Sequence, residues 1–136
     1  MIIDVTCGLW LTRRGLIASV IDGAEKCHLP RLVPADESER MDWLSEIQRQ
    51  HGPRLDLVLT DAVAALDPIG RLAITNGIPV WLAPEALVAA ICQAAMPRPR
   101  HANAASLLAR LPRCRVWRPH LRRVASLADT RQLLLF

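Results

Sequence analysis

Aromatic residues are nearly missing from this chain: they make up 4% of 136 residues, with a single phenylalanine and no tyrosine. Its basic stretches are therefore not interleaved with rings on which bases stack. The four cysteines, Cys7, Cys27, Cys92 and Cys114, form no CxxC pair and no Cys/His cluster at zinc spacing. They read as small buried hydrophobes in a reducing compartment, not as a metal site. No apolar run is long enough to span a bilayer, and the N-terminus lacks a basic start and a small-residue cleavage site. Cytoplasmic residence is the expectation. Neither a GxSxG motif nor a P-loop occurs, and His28, His51, His101 and His120 stand in no triad-like context. There is no internal repeat and no low-complexity tract.

What is present points to one globular domain. Half of the residues are apolar (51%) and 22% are charged, enough to bury one core in a chain of this length. The net charge of +4 is unevenly placed. Arg98, Arg100, Arg110, Arg113, Arg115, Arg118, Arg122, Arg123 and Arg131 crowd the C-terminal part, with Asp129 against them. Asp36, Glu37, Glu39, Asp42 and Glu46 make an acidic stretch nearer the N-terminus. An arginine-rich end fits a phosphate backbone, because the guanidinium fork matches phosphate oxygens whatever the base sequence. It also fits a merely solubilising surface.

Local patterns give an order of elements. Residues 1–6 are an apolar run with Asp4 inside it, 16–22 a second, and 26–31 a third, with turns at Arg13-Arg14-Gly15 and Asp22-Gly23. Met41, Leu44, Ile47 and Gln48 recur at helical spacing over 37–50, behind an acidic first turn. Leu55-Asp56-Leu57-Val58-Leu59-Thr60 reads as a central parallel strand. Asp67-Pro68 opens a helix that ends near Asn76-Gly77, and 78–82 is the next strand. A helix over 84–95, a proline-stiffened linker over 96–100 and a helix over 101–111 follow, and Arg115-Val116-Trp117 is a candidate short strand. Trp10, Trp43 and Trp81 are expected in the core, and Trp117, between arginines, at a surface. The expected fold class is α/β, with residues 1–112 as the domain and 113–136 as a basic C-terminal tail.

A three-stranded meander followed by alternating helix and strand is the order of the RNase H-like fold, a mixed five-stranded sheet with flanking helices. Ile3-Asp4-Val5-Thr6 resembles the opening "IDVS" of RuvC-like domains, most closely the N-terminal domain of DEDD-motif transposases. Leu57-Val58-Leu59-Thr60-Asp61 is similar to their fourth strand, and residues 76–84 to their "aGIPVxxxnP" fifth strand and turn. Asn103-Ala104-Ala105-Ser106-Leu107-Leu108-Ala109 stands where they have "DAxxLA". YqgF-type RuvC-like nucleases are a second resemblance, with a glutamate soon after the fifth strand, where Glu85 sits here.

The resemblance implies carboxylates converging on two divalent cations, Mg2+ or Mn2+, to cleave a phosphodiester. Asp4, Asp61 and Glu85 are the matching catalytic candidates, Asp4 and Asp61 the metal ligands. Asp61 lies one residue past the family position and also reads as a loop-end aspartate; Glu85 also reads as a first-turn acid at a helix N-terminus. Arg100 and Asn103 stand where the family has two aspartates, and an arginine there repels cations. The chain thus resembles a catalytically degenerate member, a nucleic-acid-associated accessory protein. Arg98, Arg100, Arg113, Arg115, Arg118, Arg122 and Arg123 are its candidate DNA contacts. An active metal-dependent nuclease and a structural subunit of a larger complex are the alternatives. Gln132-Leu133-Leu134-Leu135-Phe136 is similar to the peptide by which replication and repair proteins dock on the bacterial sliding clamp. In that reading Leu135 and Phe136 fill an apolar pocket, with Gln132 and Leu133 beside them. The same residues also read as an apolar end folded onto the core.

Overall fold

The computed structural model describes residues 5–51, 54–95 and 101–125. Strand β1 (Val5–Thr12) turns back into β2 (Gly15–Ile21). The Thr12 hydroxyl locks that turn, donating to the Gly15 carbonyl at 2.8 Å and accepting the Arg14 N–H at 3.1 Å. After the short β3 (Arg31–Leu32) comes helix α1 (Glu37–His51), whose first turn is acidic and last turn basic, matching the helix dipole. β4 (Leu55–Thr60) runs straight into α2 (Asp61–Leu66), because the Thr60 hydroxyl accepts the Val63 N–H and caps the helix. Asp67-Pro68 breaks the chain there, and α3 (Ile69–Thr75) follows. β5 (Val80–Ala83), α4 (Glu85–Ala95) and α5 (His101–Arg110) follow as expected, whereas α2, which begins at Asp61 where the sequence also reads as a loop end, was not expected. Two 3-10 turns, Leu111–Arg113 and Arg118–His120, lead to β6 (Arg122–Val124).

The fold is α/β: the described residues form one mixed sheet of six strands in the order β3-β2-β1-β4-β5-β6. β1 is antiparallel to β2 and parallel to β4; β5 is parallel to β4 and antiparallel to β6. Every residue of β4 and β5 is buried, as strands covered on both faces must be. On one face Cys7, Leu9, Leu57, Leu59 and Val80 pack against Leu44 and Ile47 of α1, Val63 of α2 and Ile69 and Ala73 of α3. On the other, Val58, Trp81 and Ala83 meet Val88 and Cys92 of α4 and Ala104 and Leu108 of α5. Helix α5 lies directly on β1 at Gly8. A Cβ there would stand 2.1 Å from the Ala105 carbonyl oxygen and 2.6 Å from the Ala109 nitrogen, so only glycine admits the helix.

Several expectations are corrected. The sheet has six strands instead of five: Arg122–Val124, placed in the tail by sequence, is an edge strand. β1 reaches Thr12, well beyond the run ending at residue 6. The third strand is Arg31–Leu32, and of the run expected at 26–31 only Cys27 makes a further isolated bridge, to Ile21. Arg115-Val116-Trp117 is a turn. Trp81 is core, whereas Trp10 and Trp43 are half-buried at its margins. Cys7 and Cys92 are buried as expected, but Cys27 is exposed and Cys114 half-buried. Burial pushes the Cys7 thiol up to about 12 and raises that of Cys92, so neither is a thiolate at neutral pH. Among the described residues, no helix is long and apolar enough to cross a membrane.

Candidate functional site

The carboxyl ends of the parallel strands β4 and β5 open into a cavity of about 200 Å3, lined by Asp61, Leu82, Ala83, Pro84, His120 and Arg122. Ligands of open α/β sheets bind in such a position. Each wall has a local cause. Asp61 is the first residue of α2, delivered by the uninterrupted passage from β4. Leu82, Ala83 and Pro84 are the end of β5 and its exit. His120 ends the second 3-10 turn, its ring centroid 6.3 Å from that of Trp117, and Arg122 starts β6, paired with Leu82.

Asp61 and Glu85, named separately from the sequence, meet here, though not as two carboxylates. Asp61 Oδ1 accepts the N–H of Ala62 at 2.8 Å and that of Glu85 at 3.1 Å, so it ties the starts of α2 and α4 together. The Glu85 side chain is exposed. Asp4 lies outside the described residues. Among the described residues, no group of three or more His, Cys, Asp or Glu is arranged to hold a metal ion. The donors gathered in the cavity do not fit a divalent cation: one carboxylate, already accepting two N–H groups, shares the space with a guanidinium.

The arginines named as phosphate contacts divide into distinct roles. Arg113 Nε donates to the Thr6 hydroxyl at 3.2 Å, and its Nη2 donates to the carbonyls of Ile21 and Asp22, both at 3.1 Å. Thr6 in turn donates to the Ala109 carbonyl at 2.6 Å, so Arg113 clamps the end of α5 to β1 and β2. Arg118 Nε donates to the Pro112 carbonyl at 2.6 Å. Arg123 Nε reaches Asp56 Oδ2 at 3.3 Å, and the Trp81 indole N–H donates to the same oxygen at 2.8 Å. These three brace the basic segment. Arg115 is exposed and Arg122 lines the cavity. Arg98, Arg100, Gln132, Leu133, Leu135 and Phe136 lie outside the described residues.

Sequence reasoning missed Asp56 and His120. Asp56 is 7% exposed in the middle of an all-buried strand. A charge inside an apolar run is costly to bury without a partner, and that signal would have found it. His120 carries no local signal; the turns after α5 bring it to the cavity.

Toward the other end of the sheet a second cavity of about 200 Å3 is lined by Ile21, Glu25, Arg110, Arg113 and Cys114. Nearby, His28 Nε2 and Asp22 Oδ2 are 2.9 Å apart, and Asp22 Oδ1 accepts the N–H groups of Ala24 and Lys26. The His28 bond, then the backbone bonds, hold the Asp22 carboxyl below its ordinary value. Burial, then the adjacent His28, lower the His51 imidazole, and Asp22 partly opposes them. The Cys27 thiol is raised by burial. Hydrogen bonds from Ser106 and Ser19 and the charge of Arg110 outweigh that and leave it lowered.

Neither a protein-family model nor a curated protein matches the chain.

Proposed function

We propose that the chain is a nucleic-acid-associated accessory protein on an RNase H-like sheet, catalytically degenerate, and recruited to replication or repair machinery through its C-terminal peptide. The observation that carries the reading is the sheet: β3-β2-β1-β4-β5, an antiparallel meander followed by parallel strands. That is the order the resemblance implies, with β6 added at the edge. The arginines of the segment after α5 add a second support, since Arg115 is exposed and Arg122 lines the cavity. DNA binding by such groups releases counterions, so affinity falls steeply with salt and depends little on base sequence. Fluorescence anisotropy with short DNA duplexes and single strands over a salt series is the test. Binding that is undetectable at low salt, or indifferent to salt, contradicts the reading.

Degeneracy follows from Arg100 and Asn103 at the acidic positions of the resembling family and from the role of Asp61 as a helix tie. Incubation of branched, duplex and single-stranded DNA in Mg2+ or Mn2+ is expected to give no cleavage. Cleavage abolished by Asp4→Asn would instead establish the active nuclease. Recruitment rests on the peptide 132–136 alone. Leu135 and Phe136 are its expected anchors, each losing about 2 kcal/mol or more of clamp binding on truncation to alanine. Unchanged clamp retention with a lowered melting temperature in those variants would make the segment part of the core.

A further inference from the structure

We infer that the cavity at the ends of β4 and β5 binds a nucleic-acid phosphate group directly, through Arg122 and His120, with no divalent cation held by Asp61. The inference rests on the nucleic-acid reading and names the ligand of its cavity. Three observations carry it. The cavity of about 200 Å3 is lined by a guanidinium and an imidazole with one carboxylate, beside Leu82, Ala83 and Pro84. One oxygen of the carboxylate is committed to protein: Asp61 Oδ1 accepts two backbone N–H groups, from the first turn of its own helix and from the start of α4. The basic groups arrive on a rigid frame. Arg122 begins a strand registered on Leu82, and its neighbour Arg123 is fixed by Asp56, which also holds the Trp81 indole.

A guanidinium presents paired N–H donors that match two phosphate oxygens, so it neutralises and orients the group that a metal ion would otherwise bridge. Asp61 then acts on the ligand only by repulsion. That gives the two modes opposite signs on one substitution. In a metal site, removing the Asp61 charge weakens binding, because the cation is lost. In a direct phosphate site, removing it strengthens binding, while the asparagine carbonyl still accepts the Ala62 and Glu85 N–H groups.

The experiment is anisotropy titration of a labelled single-stranded DNA oligonucleotide, in EDTA and in Mg2+, with wild type, Asp61→Asn, Arg122→Gln and His120→Gln. The expected results are equal affinity in EDTA and Mg2+, severalfold tighter binding by Asp61→Asn, and roughly tenfold weaker binding by Arg122→Gln. His120→Gln is expected to weaken binding to a smaller degree. The gain in Asp61→Asn cannot arise from misfolding, so it stands even if Arg122→Gln folds poorly. Repeating the titration with 5′-phosphate and 5′-hydroxyl oligonucleotides separates a terminal monoester, which favours the first, from a backbone diester, which favours neither. Loss of binding in EDTA together with weakening by Asp61→Asn overturns the inference. So does binding that ignores all three substitutions, which leaves the nucleic-acid reading standing on other arginines; no binding at any salt removes both.

Discussion

The face of the sheet under α1, α2 and α3 is sealed by aliphatic side chains such as Leu9, Leu57, Leu59 and Val80, whereas the face under α4 and α5 buries Thr6, Ser19 and Asp56. On the first face helices are held mostly by volume, with one specific pair: the buried Arg40 of α1 and Asp67, between α2 and α3. On the second, each polar group has a partner: Thr6 with the Ala109 carbonyl and Arg113, Ser19 with Ser106 at 2.9 Å, Asp56 with Trp81 and Arg123. These contacts reach α5, β5 and the basic segment that follows α5. The arginine-rich stretch after α5 is fixed in both ways: Leu111 and Val124 are buried and Trp117 and Leu121 pack on the core, while Arg113 and Arg123 add polar struts to the sheet.

The comparison predicts different costs on the two faces. Leu57→Ala, in the fully buried aliphatic layer, is expected to have the largest effect, about 2–5 kcal/mol in chemical denaturation, because it leaves a cavity. Gly8→Ala follows at about 1–3 kcal/mol, since its methyl group meets α5 backbone at 2.1 Å and the helix must shift. A smaller effect here than for Ala18→Val on β2 would show that α5 is not seated on Gly8. Asp56→Ala is expected to lose about 1–3 kcal/mol by stranding the Trp81 N–H and the Arg123 guanidinium, with Trp81 fluorescence shifted as β6 loosens. Unchanged stability would mean that the strut is decorative and the segment packs by volume alone.

The smallest effect is in pH. The His51 imidazole is lowered in the folded state, so the unfolded chain takes up protons first as pH falls through the ordinary value of 6.5, and stability declines. The Asp22 carboxyl is also lowered; its contribution is full above the ordinary 3.8 and is lost as pH falls through and below it. Melting temperature against pH is expected to show both declines, and His51→Gln to remove only the upper one.

Much of this architecture is legible in sequence where the signal is local. The apolar run at 55–60, the helical spacing over 37–50 and the Asp67-Pro68 break need only neighbours to be read. β6 is not legible, because Arg122-Arg123-Val124 has no strand pattern of its own; it forms by pairing with β5 and by the reach of Arg123 to Asp56. The extent of β1 was hidden by Gly8, a poor strand former whose reason is a helix almost a hundred positions later. Of the candidate site, Asp61 and Arg122 were legible as residue types, but their shared cavity was not. Their convergence depends on the turns after α5, which carry His120 and Arg122 back over the end of β5.

Nucleic acid is proposed to meet the sheet at the carboxyl ends of β4 and β5, where Asp61, His120 and Arg122 line the cavity. An amide chemical-shift map of the 15N-labelled protein titrated with a single-stranded oligonucleotide tests it most directly. Perturbations are expected to cluster at Asp61, Glu85, Arg115, His120 and Arg122, with α1 and α3 still. Perturbations concentrated on α1 and α3, or none at low salt, would contradict it.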